Sequence, residues 1–397
     1  MTVPRVRSAL VSALACFALA VAAPAGGSAP TAPGPAEPAR LAVYVGTYTD
    51  AGSRGIVRFE LDPVSGATTA PVLAGESENP SFLAVHPNGR VMYAVNEVAS
   101  FGGARTGAVS AFAIDPRSGT LTLLNRQPSG GKDPCHVIVD GAGRNVLVAN
   151  YTSGTVEVLP LAADGRLRPP STVRQQAGTG PNLARQEGPH AHEIVLDAAG
   201  AFAFALDLGA DRVFVYRFGA GLGTLEPSAP AAAVLAPGSG PRHLAWSPSG
   251  TVAYVISELA STVTAFRYDA ARGVLEPFQT ITTLPAGFSG RNTAAEVEVS
   301  PDGRFLYASN RGDDTLAFFS IDARSGALAP AGRVPSGGRT PRHFAITGSG
   351  RWLLVANQDS DSVTYFRLDP ATGRPSPAGR PLAISRPVCV LPVAPAR

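Results

Sequence analysis

Charge is scarce in this chain. Asp, Glu, Lys and Arg make up 16% of its 397 residues, and the formal net charge is only +3. No long basic run occurs, so composition gives a nucleic-acid partner no support. There is no Gly-x-Ser-x-Gly elbow, no His-Glu-x-x-His pair and no phosphate-binding loop. The usual signatures of serine esterases, zincins and nucleotide enzymes are therefore missing. Cysteine occurs three times, as Cys16, Cys135 and Cys389. Long apolar runs are also missing: the stretch from Ala9 to Ala23 is short for a membrane span.

That stretch follows Arg5 and Arg7 and precedes Ala20-Val21-Ala22 and Ala23-Pro24-Ala25, which fit small-residue cleavage sites. Residues 1–25 read as a secretory signal peptide and 26–40 as a Pro/Ala/Gly linker. The expected location is secreted or extracytoplasmic. Lipidation at Cys16 is disfavoured because apolar residues continue past it. The mature chain then has no membrane span.

What the sequence does have is glycine and proline, 43 and 36 of them, in a repeating order. An Asp-Pro-x-Ser/Thr-Gly-like turn ends at Gly66, Gly119, Gly165, Gly223, Gly273, Gly326 and Gly373. A Pro-Asn-Gly or Pro-Asp-Gly type turn ends at Gly89, Gly143, Gly200, Gly250, Gly303 and Gly350. Spacings within each set run from 46 to 58 residues. Short strands at that period predict an all-β fold, the β-propeller. Length alone, at about 150 residues per domain, suggests two or three domains. The even repeat argues for a single propeller over residues 41–397.

Seven turns of one kind and six of the other mean that one blade lacks its inner hairpin. With strands lettered A to D from the channel outward, the deficient blade begins at Leu41. Pro387-Val388-Cys389-Val390-Leu391 resembles the blade openings at Pro134 and Pro341. The C-terminal strand is therefore expected to complete the first blade and close a seven-bladed ring. Closure removes the exposed sheet edges. Cys135 and Cys389 then fall in non-neighbouring blades, too far apart for a disulfide.

Aligning the repeats on the A–B glycine stacks the inner strands. Seven residues before it stand Phe82, His136, Glu193, His243, Glu296 and His343. One residue earlier stand Ser81, Cys135, His192, Arg242, Ala295 and Arg342. A fully buried strand is normally apolar throughout, so these ionisable groups are expected around one channel mouth. At the ends of strands B stand Glu97, Tyr151, Leu208, Glu258, Arg311 and Gln358, preceded by a polar set that includes Asn310. Antiparallel pairing brings Glu258 to Arg242. A structural role competes for any single histidine, because buried polar groups lock blades together. The recurrent Asn also caps turns. The cluster as a whole reads as an anion site able to move protons. His190, His192 and Glu193 have the spacing of metal ligands, but strand residues alternate faces, and no metal is assigned.

The segments Gly-Pro-His190-Ala-His192, Gly-Pro-Arg242-His243, Ile-Ser-Glu258-Leu, Asn292-Thr293-Ala294-Ala295-Glu296, Ser-Asn310-Arg311-Gly312 and Pro-Arg342-His343 resemble the bacterial lactonase family of seven-bladed propellers. The likeness covers essentially the whole mature chain. That family includes 6-phosphogluconolactonase and is related to carboxy-cis,cis-muconate cyclase. The resemblance implies lactone hydrolysis with His192, Arg242, Glu258 and Arg311 as the functional set. His190, Glu193, His243, Glu296, Asn310, Arg342 and His343 are expected to bind substrate. No cofactor is implied, and the partner is a small lactone or carboxylate. A cyclase-type isomerase and a non-catalytic extracellular binding propeller are the alternatives.

Overall fold

The structure is a computed structural model, and it describes residues 40–393. The expected signal peptide, nearly all of the expected linker and Cys16 lie outside those residues. The described chain forms seven four-stranded antiparallel sheets. They are the blades of a β-propeller, counted here from the N-terminal strand Leu41–Thr47. Blades 2 to 7 each run from inside to outside in chain order. Their inner strands are Leu83–Val85, Pro134–Val139, Ala191–Leu196, Pro241–Trp246, Thr293–Val299 and Pro341–Ile346.

Blade 1 departs from this order in the expected way. Its inner strand is Pro387–Val393, paired antiparallel with Leu41–Thr47. Val43 faces Pro392 and Val45 faces Val390 across that seam. Cys135 and Cys389 are both free and buried.

Burial explains the sequence of each layer. Strands B are covered on both faces by neighbouring blades. Val91–Asn96, Asn145–Asn150, Phe202–Asp207, Val252–Ser257 and Trp352–Asn357 are buried at every position. They read as unbroken apolar runs for that reason. Outer strands such as Leu328–Pro335 are mostly exposed and carry polar and proline residues.

The recurrent turns also join blade to blade. The Asp62 carboxylate accepts the backbone N–H groups of Val64 and Ser65, both at 2.9 Å, and so shapes the turn to Gly66. Gly66 has φ +76°, and a β-carbon there would collide with the Trp352 ring of blade 7. Trp352 Nε1 donates to the Pro63 carbonyl in the same turn at 2.8 Å. Four strand-B tyrosines make an equivalent reach. Tyr44, Tyr93, Tyr254 and Tyr307 donate their hydroxyls to the carbonyls of Gly119, Gly165, Gly326 and Gly373, each in the next blade, at 2.7–2.9 Å.

Candidate active site

The channel mouth is built by a repeated irregularity. In blade 4, Ala191 pairs with Asp207 and Glu193 with Leu206, so His192 has no partner of its own. The same β-bulge isolates Cys135, Arg242, Arg342 and Val388 in blades 3, 5, 7 and 1. In blade 6 the irregularity lies between Ala294 and Val297. A bulge breaks the strict alternation of faces and re-aims a side chain. That corrects the expectation that successive inner-strand residues point to opposite sides. His192, Arg242 and Arg342 line the same small cavity as His243 and His343, the residues next in sequence to two of them.

The inner-strand side chains thus fall in two tiers. In the upper tier Glu258 is held by three guanidiniums. Arg311 Nη2 approaches Oε2 at 2.6 Å and Arg185 Nη2 approaches Oε1 at 2.6 Å. Arg242 Nε stands 3.3 Å from Oε2 as an ion pair, without the alignment of a hydrogen bond. Arg242 Nη1 donates to the Ala295 carbonyl at 2.8 Å, and Arg311 Nη2 to that of Ala294 at 3.2 Å. Both are thereby fixed to blade 6. Burial pushes the Glu258 carboxyl up, but Arg311, Arg242 and Arg185 outweigh it and hold it at about 2. Burial, with Arg311 and Arg342 nearby, pulls Arg242 down to about 10.

Across the mouth, the Arg342 guanidinium lies 5.5 Å from the Tyr48 ring centre. Tyr48 donates its hydroxyl to Glu97 at 3.0 Å. Burial raises the Glu97 carboxyl. Four guanidiniums, those of Arg185, Arg242, Arg311 and Arg342, therefore share two carboxyls. The mouth has an excess of positive charge.

His192 lies between these groups, 4% exposed. Its ring stands edge-on to Tyr151 at 5.6 Å and to His243 at 5.2 Å. Its Nδ1 is buried without a hydrogen-bond partner. Burial first, then Arg242, His243, Arg342 and Arg311, push its pKa well below the usual histidine value, so the ring is neutral at pH 7.

The other nominated residues have different surroundings. His190 stacks on Tyr151 at 4.6 Å, with Nδ1 3.2 Å from the Tyr151 carbonyl and Nε2 3.2 Å from Glu187. Asn310 is bound to the connection from blade 5 to blade 6. Its Oδ1 accepts from Thr283 Oγ1 at 2.7 Å and its Nδ2 donates to the Thr283 carbonyl at 3.1 Å. Glu193, His243, Glu296 and His343 form the lower tier with His136. His243 Nδ1 meets Glu296 at 2.9 Å, His343 Nε2 meets it at 3.4 Å, and His136 Nε2 meets Glu193 at 3.4 Å. Glu193 also accepts the Leu244 N–H of the next blade at 2.6 Å, and His343 Nδ1 that of Val390 at 3.3 Å. This tier joins blades around the channel. Among the described residues no group of three or more His, Cys, Asp and Glu is disposed to hold a metal ion.

Arg185 escaped the repeat alignment. It lies in the long connection 176–190 between blades 3 and 4, where blades 2 and 3 are joined by only 129–133. Its Nη2 also donates to the Tyr151 hydroxyl at 3.1 Å. The extra length of that connection was the available signal.

A seven-bladed propeller with an arginine-rich channel mouth is a recognisable class of protein. The family model described as "Lactonase, 7-bladed beta-propeller" matches residues 42–392, and this chain belongs to that family. A 6-phosphogluconolactonase of Bacillus subtilis is 38% identical over 301 residues, covering 76% of this chain and 83% of the relative. A 6-phosphogluconolactonase of Formosa agariphila is 33% identical over 307 residues, covering 76% and 85%. The solved structure of a periplasmic gluconolactonase of Pseudomonas aeruginosa superposes with a TM-score of 0.84 at 36% identity. It covers 90% of this chain and 99% of that one.

Proposed function

We propose that the chain is a carboxylic ester hydrolase that opens a sugar lactone, or a related anionic lactone, at this mouth. The observation that carries the reading is a buried neutral imidazole, His192, set beside the guanidiniums of Arg242 and Arg311. His192 takes a proton from water as that water attacks the lactone carbonyl. Well-placed base catalysis of this kind is worth about 10²–10⁴-fold. Arg242 and Arg311 receive the developing oxyanion, preorganised by the blade 6 carbonyls they hold. His192 then returns the proton to the leaving alkoxide. Glu258, at about 2, is a weak proton acceptor at neutral pH. Its role in this reading is to pin three arginines in place rather than to act as the base.

The excess of guanidiniums favours a substrate that carries a phosphate or carboxylate, with Arg342 or Arg185 as its clamp. The same excess also suits a cyclase-type isomerase acting on a muconate with several carboxylates. A panel of phosphorylated and plain sugar lactones, run beside a carboxymuconate, separates the readings. Turnover of a sugar lactone is expected. Cyclisation of the muconate alone moves the isomerase ahead, and binding without turnover of any compound leaves a binding propeller.

We also propose that the chain is exported. The basic and apolar start of the sequence supports this, and the Pseudomonas relative is described as periplasmic. N-terminal sequencing of the protein recovered from cell fractions tests it. An intact Met1 in the cytoplasmic fraction would refute it.

A further inference from the structure

At the mouth is a small, partly open cavity with about 10 Å³ of room for the centre of a water molecule. Its lining includes Ser81, His192, His243, Arg342 and Val388. Four buried polar atoms of residues in that lining have no hydrogen-bond partner: Ser81 Oγ, His192 Nδ1, His243 Nε2 and Arg242 Nε, the last facing Glu258 as an ion pair. Their residues are only 4%, 4%, 2% and 3% exposed. Ser81 is close enough to Glu97 to favour its ionised carboxyl, but the pair falls short of hydrogen-bond geometry. One water needs on the order of 10–15 Å³ by this measure and two to four polar partners. Size and partners both match.

We infer that a single bound water occupies this cavity and hydrogen-bonds His192 to the His243–Glu296 pair, fixing the His192 tautomer and stabilising its imidazolium. The inference rests on the hydrolase reading for His192, and it adds Ser81 and His243 as positioning residues. The donors and acceptors fit in one order. His243 bonds Glu296 through Nδ1, at 2.9 Å, which leaves Nε2 as an acceptor. The water donates one hydrogen to that nitrogen. Its oxygen accepts from His192 Nδ1–H, so the lone pair of His192 Nε2 faces the substrate. Ser81 Oγ takes the remaining position on the water.

When His192 Nε2 takes a proton from the attacking water, the resulting imidazolium is stabilised through Nδ1–H, the bound water, His243 and Glu296. The proton leaves again from Nε2 to the alkoxide, so protons and electrons balance over the cycle. A neutral histidine with no such partner would be free to adopt the other tautomer.

Two experiments test the inference. The first is a crystal structure of the protein at a resolution that shows ordered water. A water within hydrogen-bond distance of His192 Nδ1, His243 Nε2 and Ser81 Oγ is expected. A dry cavity overturns the proposal, whatever the enzyme does. The second fills the cavity without removing a polar group. Val388→Ile adds one methylene to its wall. With the best lactone, kcat should fall by about ten- to a hundredfold, within the range of base catalysis, while KM stays put. Val388→Ala, which keeps the room, should stay within about threefold of the parent by the same comparison. If Val388→Ile misfolds, Ser81→Val is used instead: it adds bulk to the lining and also removes one partner of the water, and the same fall in kcat with KM unchanged is expected. Full kcat in a folded variant whose crystal structure lacks the water overturns the role given to the water. A wild type that turns over no lactone overturns the water's catalytic role together with the hydrolase reading, and the first experiment then decides the water alone.

Discussion

Glu258 and Glu157 are both buried carboxyls, yet their surroundings drive them in opposite directions. Glu258 has three guanidiniums and is held at about 2. A carboxyl with a depressed folded-state pKa contributes stability above its unfolded value, about 4.3, and that stability is lost as pH falls toward about 2. Glu258→Gln should abolish that acid-side loss. It should also leave buried arginines without a counter-charge, at about 3–5 kcal/mol. Turnover should drop by about a hundredfold or more as the oxyanion site loosens. A Gln variant with full activity on the best lactone would show that the cluster is not part of the chemistry. Glu157 has the reverse problem. Both its oxygens are buried without a partner, and burial alone pushes its carboxyl well above the usual range. Ser110 and Thr364 hold the matching positions in blades 2 and 7, where Ser110 Oγ donates to Asn96 Oδ1 at 2.6 Å. A raised carboxyl costs stability as pH climbs from the unfolded value toward the folded one. Glu157→Gln should therefore melt higher than the parent at pH 7 and above, by about 1–3 kcal/mol. Melting curves at pH 4 and pH 8 check this, and a lower melting point at pH 8 would refute it.

At the scale of strands and turns, the tyrosine-to-turn bonds make a sharp comparison. Tyr254→Phe removes only a hydroxyl and leaves the buried Gly326 carbonyl of blade 6 unpaired. The expected loss is about 1–2 kcal/mol in denaturant unfolding, with no change in kcat. An unchanged midpoint would mean that water replaces the hydroxyl. These elements also mark how far sequence reading reaches. The turn glycines recur because the chain needs left-handed backbone there, as at Gly66, so strand count and closure were legible. Antiparallel pairing brought Arg242 and Glu258 together on paper, and the equivalent repeat position put Arg311 at the same mouth, because both depend only on distance from those turns. The bulges were not legible. Nothing local in Pro241-Arg242-His243 announces an extra residue, and without it the two tiers cannot be separated. Arg185 was hidden for a different reason: it belongs to a connection outside the repeat and so has no counterpart in other blades to align with.

For the molecule as a whole, the seam between Pro387–Val393 and Leu41–Thr47 decides whether there is a ring at all. A protein truncated after Arg386 loses the inner strand of blade 1 together with Val388 and Val390. It also exposes an unpaired edge on Leu41–Thr47, which invites pairing with other copies. Such a chain should melt far below the parent and aggregate. Light scattering and a melting curve test this, and a truncated protein as stable as the full chain would exclude the seam as a structural closure.

The seam also fixes a timetable. A ribosome makes Leu41 more than three hundred residues before Val393, so six blades can acquire all four strands while the first still has only three. During that interval the ring is an open arc, and the two ends of the wall around His192 are not yet joined. Completion of the mouth therefore waits for Pro387–Val393, and a chain in which that strand has not yet been delivered has no finished site with which to act on a substrate.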